Sequence, residues 1–301
     1  MQNKASKILM IRPVRFGYND QTAQSNSFQQ NLDKENVEAI QSKALEEFNA
    51  FSDMIILNGI DVVFYEDTIL PHTPDSIFPN NWISFHDNNE LVLYPMLAEN
   101  RRLERRDDII SGFKNDNTTI IDLSKFENKK RFLEGTGSIV FDYENKIAYA
   151  NISPRTDLSL FEQLCKQLNF ESISFKAIDI NGSDIYHTNV LMCIGKGFSV
   201  LCEDSIPDKN ELGKVIDSLK NSNLEIISIS YEQMNSFAGN MYQLQNFKGE
   251  HFIIMSEQAF ESLKKEQVVQ LQQYGKLLHS PLNTIEKHGG GSARCMIAEI
   301  K

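Results

Sequence analysis

The sequence contains no CxxC pair, no HExxH helix, no GxxxxGKS/T loop and no GxSxG elbow. These absences exclude the common zinc motifs, the P-loop nucleotidases and the serine hydrolases built on a nucleophile elbow. Gly135-Thr136-Gly137 and Gly195-Lys196-Gly197 begin GxG but lack the third glycine of a dinucleotide loop. His288-Gly289-Gly290-Gly291 looks like a lipase oxyanion loop, with no elbow serine to serve. Four cysteines, at 165, 193, 202 and 295, in 301 residues are no disulfide framework. No apolar run approaches the roughly 20 residues that cross a bilayer. Ile8-Leu9-Met10 is too short for the apolar core of a signal peptide. Basic residues are outnumbered, 30 against 41, for a formal charge of −11, which argues against nucleic acid as a principal partner. The remaining composition, 41% apolar and 24% charged, is that of a globular protein. The expectation is a soluble, reduced, cytoplasmic protein with neither a nucleic-acid nor a membrane partner.

What is there is a repeat. An apolar strand at 8–11 precedes a helical pattern at about 35–57, with apolar positions Val37, Ile40, Ala44, Phe48, Phe51 and Ile55, and a β-rich run at 61–65. A hairpin, a helix and a strand then follow in that order four times. The hairpins are 82–85 with 91–94, 138–141 with 147–150, 190–194 with 198–202, and 241–244 with 251–255. The helices are expected at 101–113, 158–168, 209–220 and 262–274, and the closing strands at 118–123, 172–175, 224–229 and 276–278. Taking Trp82, Ser138, Asn189 and Tyr242 as equivalent points, the spacings are 56, 51 and 53 residues. A ββαβ unit of about 50 residues cannot bury both faces alone, so several must pack together. The stretch 293–300 would join the N-terminal elements as a fifth unit and close a ring. The chain therefore reads as one α/β domain, 1–301.

In such a ring the starts of the hairpins face one centre, and polar residues cluster there. Glu134 opens Glu134-Gly135-Thr136-Gly137, His187 lies just before Asn189, and Asp75, Phe78, Asn80 and Asn81 lead into Trp82. Cys295 follows the glycine run 289–291. It is either a reactive thiolate or a small apolar strand residue. Cys165, Cys193 and Cys202 fall inside apolar patterns and read as core. His187 suits general acid–base work, and Glu134 could orient its ring.

This set resembles the pentein superfamily of guanidino-group modifying enzymes: arginine deiminase, dimethylarginine hydrolase, agmatine deiminase and the amidinotransferases. The marks are Asp75-x-x-Phe78-x-Asn80-Asn81, Glu134-Gly135-x-Gly137, His187-x-Asn189 and the glycine loop ending in Cys295, in the family's order over residues 8–300. Phe78-Pro79-Asn80-Asn81-Trp82 and Tyr186-His187-Thr188-Asn189-Val190 look most like the citrulline-utilisation hydrolase branch. The resemblance implies a five-bladed α/β propeller, Cys295 as nucleophile, His187 as acid–base, Glu134 as its partner, and no metal or organic cofactor.

Relatives that hydrolyse guanidines carry acids where this chain has Asn80 and Asn81, and usually HxD where it has His187-Thr188-Asn189. A guanidinium has only N–H donors, whereas a ureido group adds a carbonyl acceptor that a carboxamide can serve. The expectation is therefore hydrolysis of citrulline to ornithine through an S-carbamoyl enzyme, with Asn81 or Asn189 at the oxyanion. It includes a pocket poor in carboxylates, the acidic excess lying on the surface. Arg155 resembles the family's carboxylate-binding arginine. Arg101 and Arg102 are further candidates for that role, and Asn240 could reach the α-amino group. Arginine deiminase, dimethylarginine hydrolase, an amidinotransferase and a non-catalytic pentein binding protein are the rival readings. The expected partner is a small amino acid of citrulline or arginine type, and a homodimer is compatible with the chain.

Overall fold

The computed structural model describes residues 5–23, 25–26, 28–30 and 36–301. Among them one motif recurs five times: an antiparallel pair of strands with a third strand parallel to the middle one. Four of these sheets follow the chain. They are β3 (Ile83–His86), β4 (Glu90–Leu93) and β5 (Thr119–Asp122); β6 (Val140–Asp142), β7 (Ile147–Asn151) and β8 (Glu171–Phe175); β9 (Met192–Gly195), β10 (Phe198–Leu201) and β11 (Glu225–Ser228); and β12 (Tyr242–Gln245), β13 (His251–Ser256) and β14 (Lys276–Ser280). The fifth joins the two ends of the chain. There β1 (Lys7–Arg12) runs parallel to β2 (Asp61–Glu66), and β15 (Ala298–Ile300) returns antiparallel to β1 with Ala298 opposite Leu9.

The parallel step dictates the helices, because two parallel strands need a long crossover. Helices Val37–Leu57, Asp107–Phe113, Leu158–Leu168, Lys209–Asn221 and Lys265–Gln272 supply it. Asn36, Asp157 and Asp208 start three of them, each side chain accepting a backbone N–H of the first turn. Leu160, Phe161, Leu164, Cys165 and Leu168 form the buried stripe of one such helix. Cys193 and Cys202 are buried in a neighbouring cluster with Met192 and Leu201. The middle strands read as apolar runs, such as Ile8-Leu9-Met10, because both edges and both faces are covered.

Three of the expected elements differ in the structure. The helix expected at 101–113 is two short helices, Glu99–Arg102 and Asp107–Phe113. Arg101 is drawn inward and Arg105 turns back to Glu127, which breaks the helical face between them. The helix expected at 262–274 also splits, with Leu263 and Lys264 extended between Glu257–Ser262 and Lys265–Gln272. Residues 293–296 form a turn, and only Ala298–Ile300 is strand. The start of the first long helix expected at Glu35 lies outside the described residues.

A short turn precedes the first strand of each sheet: Pro79–Asn81, Gly135–Ser138, Thr188–Leu191, residues 237–240 and residues 293–296. The first two pack on each other, as do the second and third. Behind them β15 lies against β3, β6 against β9, and β9 against β12.

Candidate active site

The lead-in turns bring together most of the polar residues singled out in the sequence. Asp75, Phe78, Asn81, Arg101, Arg155, His187 and Cys295 line one cavity with Tyr186, Asn26 and the glycines 289–291. Its volume is about 10 Å³, room for about one water and too little for an amino-acid substrate. The turns approach this tightly because of two glycines. A Cβ on Gly137 would stand 2.5 Å from Asn81 Nδ2 and 2.7 Å from His187 Nδ1. Gly135 has φ +51°, and a Cβ there would meet the Asn80 carbonyl at 2.1 Å.

Cys295 sits in the fifth lead-in turn and is 3% exposed. Nδ2 of Asn189 and Nδ2 of Asn240 each lie 3.4 Å from its Sγ. Asn240 is locked in this orientation: Nδ2 also donates to the Asn189 carbonyl at 2.8 Å, and Oδ1 accepts the Arg294 N–H at 3.0 Å. The sulfur also lies 3.7 Å from Asn240 Oδ1, so both carboxamides hold it in place.

His187 caps the turn Thr188–Leu191, and Thr188 ties that turn to its neighbour by donating to the Ser138 carbonyl at 2.6 Å. His187 Nε2 lies 2.8 Å from Glu134 Oε2. Burial pushes Glu134 up. The Arg155 guanidinium, 3.4 Å away, and the His187 hydrogen bond outweigh it and hold the carboxyl at about 2. Burial likewise dominates at His187 and lowers it to about 4, against the pull of Glu134. At neutral pH the imidazole is therefore neutral beside an ionised carboxylate. Its proton must sit on Nε2, which leaves Nδ1 as the base.

The expectation of a pocket poor in carboxylates does not hold. Asp75, Glu104 and Glu134 are all buried around it, matched by Arg101 and Arg155. Buried charges of one sign demand the other, so the whole set is brought in together. Arg101 donates to both oxygens of Glu104 at 2.9 Å, to Asn81 Oδ1 at 2.6 Å and to the Phe78 carbonyl at 3.2 Å. That leaves it as a brace for the site and no free fork for a carboxylate. Arg155 donates to the Thr22 carbonyl at 2.9 Å and to Ser25 Oγ, and lies over the Tyr186 ring. Asp75 accepts from Asn19 at 2.7 Å and Thr22 at 3.1 Å through Oδ2, while its buried Oδ1 has no partner. Burial raises Asp75, and Arg101 opposes the rise.

Two expected residues fall elsewhere. Arg102 lies outside the cavity, donating to the Met96 and Leu97 carbonyls with Glu127 near it. Asn80 stands behind Asn81, accepting its Nδ2 at 3.0 Å. Asn240 contacts the sulfur and is not among the residues lining the cavity. The sequence reading missed Glu104, which belongs to what looked like a solvated helix face. It also missed the segment 19–30, whose polar residues have no periodicity to mark them. Among the described residues no group of three His, Cys, Asp or Glu could hold a metal ion, and no helix is long and apolar enough to cross a membrane.

The chain falls in the pentein superfamily of guanidino-modifying enzymes. The chain belongs to the family described as N,N dimethylarginine dimethylhydrolase, eukaryotic, whose sequence profile matches residues 12–301. No curated protein sequence matches it. Among solved structures it is similar to ArgZ, an arginine dihydrolase from the ornithine–ammonia cycle in cyanobacteria. With the product-bound N-terminal domain of ArgZ the TM-score is 0.78 at 20% identity, covering 99% of this chain and 98% of that one. The chain spans 40% of the longer ArgZ chain. It is also similar to a dimethylarginine dimethylaminohydrolase held as an adduct with S-methyl-L-thiocitrulline, with a TM-score of 0.67 at 13% identity, covering 99% and 100% of the two chains.

Proposed function

We propose that this protein, a single five-bladed α/β propeller, hydrolyses the terminal C–N bonds of an arginine-type amino acid at Cys295. We propose further that it carries the ureido compound citrulline on to ornithine. The observation that carries the reading is the pairing of Cys295, with two amide donors on its sulfur, and the His187–Glu134 couple in one cavity.

His187 Nδ1 takes the thiol proton, and the thiolate adds to the central carbon of the planar group. Glu134 stabilises the imidazolium so formed. His187 then returns the proton to the departing nitrogen, and a water cleaves the S-linked intermediate. With arginine the leaving group is ammonia and the product citrulline. With citrulline the δ-nitrogen leaves in ornithine, and the S-carbamoyl enzyme yields carbamate, which decomposes to ammonia and carbon dioxide. The unpartnered Asp75 Oδ1 is an acceptor for the N–H groups of either substrate. Asn81 supports the ureido step, since a carboxamide serves a neutral group without adding charge. Arg155 is the cation for the α-carboxylate once Thr22 and Ser25 release it. ArgZ is an arginine dihydrolase by description, which supports a two-stage reading.

Incubation with arginine, citrulline and dimethylarginine, with assay of ornithine, citrulline, ammonia and dimethylamine, tests this. Ornithine from citrulline is expected. Dimethylamine release with no ornithine from either other substrate would overturn the ureido reading in favour of dimethylarginine. Full turnover by Cys295→Ser would remove the nucleophile assignment.

A further inference from the structure

Glu286 is a buried acid beside the cavity that the chemistry above does not use. It lies in the helix Asn283–Gly289, just before the triple glycine, and is 3% exposed. Its Oε1 accepts a 2.6 Å hydrogen bond from the hydroxyl of Ser292, which is fully buried. The Ser292 carbonyl in turn accepts the backbone N–H of Cys295 at 2.9 Å. The Glu286 carbonyl also accepts the Gly290 N–H at 2.9 Å, so this residue grips the glycine loop at both ends. Three successive glycines offer no side chains to fix the segment, and their backbone freedom is large. The direction in which the nucleophile turn leaves the loop therefore depends in part on the hydroxyl–carboxylate contact, beside the bonds of Asn26 and Tyr186 to the Gly290 carbonyl and of Asn240 to the Arg294 N–H.

We infer that Glu286 is a positioning residue: through Ser292 it sets the turn that carries Cys295, so the charge on one buried carboxyl group is read out as the reactivity of the sulfur. The inference rests on Cys295 being the nucleophile proposed above. The surroundings make the charge responsive near neutrality. Burial pushes Glu286 up to about 7, against the hydroxyls of Ser256 and Ser292, and the carboxylate of Glu47 adds to the rise. Glu47 comes from the helix Val37–Leu57 and accepts the N–H groups of Thr284 and Ile285. Lys287 and His288 follow in Glu286's own helix, and Asp179 faces the same surface cleft from the loop after β8. An ionised Glu286 accepts a charge-assisted bond from Ser292, roughly twice as strong as a neutral one. The turn is held firmly above about pH 7 and more loosely below it.

The test compares wild type with Glu286→Gln, which keeps the size and an acceptor oxygen but fixes the neutral state. Alkylation of Cys295 by iodoacetamide, followed by peptide mapping, and kcat/KM are measured from pH 5.5 to 8.5. The wild-type to variant ratio is expected near one at pH 5.5, rising about fivefold through neutrality. Ser292→Ala removes the contact at every pH, so its ratio is expected to start above one at pH 5.5 and to rise in the same direction, and thermal unfolding identifies a variant that has lost its fold. A ratio constant across the range, in either variant that folds, overturns the inference. Alkylation needs no substrate. Turnover surviving in Cys295→Ser would sink the proposed function while the alkylation ratio still judged Glu286.

Discussion

The two carboxamides on the sulfur are the most informative residues of the site. Asn189 and Asn240 each place an amide Nδ2 3.4 Å from Cys295 Sγ. Asn240→Asp would keep the acceptor for the Arg294 N–H but turn a negative oxygen toward Sγ. We expect kcat to fall about a hundredfold with little change in KM, and steady-state kinetics with the preferred substrate checks it. Unchanged kcat would show that the amide donors are not used. Glu134→Gln removes the charge that stabilises the imidazolium, and a loss of about a thousandfold in kcat is expected. Because Glu134 pulls His187 upward, the variant's imidazole falls further below about 4. The acid limb of its pH–rate profile should therefore move lower, and a limb that stays or rises would contradict the pairing.

At the scale of elements, the described residues between 19 and 30 lie across the cavity. Asn26 donates to the Gly290 carbonyl, Gln29 to the His288 carbonyl at 3.2 Å, and Ser25 and Thr22 occupy Arg155. In the proposed role of Arg155, a substrate carboxylate competes with Ser25 Oγ for the same guanidinium. Ser25→Ala should lower KM about tenfold with kcat nearly unchanged, since the two hydrogen bonds that Ser25 Oγ accepts from the charged guanidinium no longer oppose binding. A raised KM would mean that Ser25 helps to bind substrate and does not compete with it.

For the molecule as a whole, the buried titratable groups shape its response to acid. His86 is lowered to about 3 by burial with Lys301 adding, and His187 to about 4, so both stay neutral in the fold. Below their ordinary value of 6.5 the unfolded chain takes up protons that the folded chain refuses, and stability falls. Glu134, held at about 2, adds to the loss below its ordinary 4.5. Glu286, raised to about 7, and Glu104, raised to about 8, work the other way, since the folded state takes their protons first as pH falls toward 4.5, and over pH 6 to 5 these two offset the two histidines. Each of the three destabilising groups costs up to about 1.4 kcal/mol per pH unit. The thermal midpoint should therefore change little between pH 6 and 5 and drop steeply below 4.5. Scanning calorimetry across that range checks it, and a flat profile down to pH 3 would contradict it.

The repeat was legible in the residues themselves. Apolar alternation marks the strands, helix-spaced apolar stripes mark the crossovers, and the spacing of Trp82, Ser138, Asn189 and Tyr242 marks the units, because those signals are local. Cys295, His187 and Glu134 stood out for the same reason, each beside glycines or at the start of a hairpin. The charge balance of the cavity was not legible. Glu104 and Arg101 look like an exposed helix face until the fold buries them against Asp75, and only then must they pair. The split of the helix expected at 101–113, the turn at Cys295, and the occupation of Arg155 by Thr22 and Ser25 are likewise decided by distant contacts. Local sequence determines which element a segment favours. Only closure of β15 onto β1, which brings the two ends of the chain together, decides which side chains lose water and what they must bind instead.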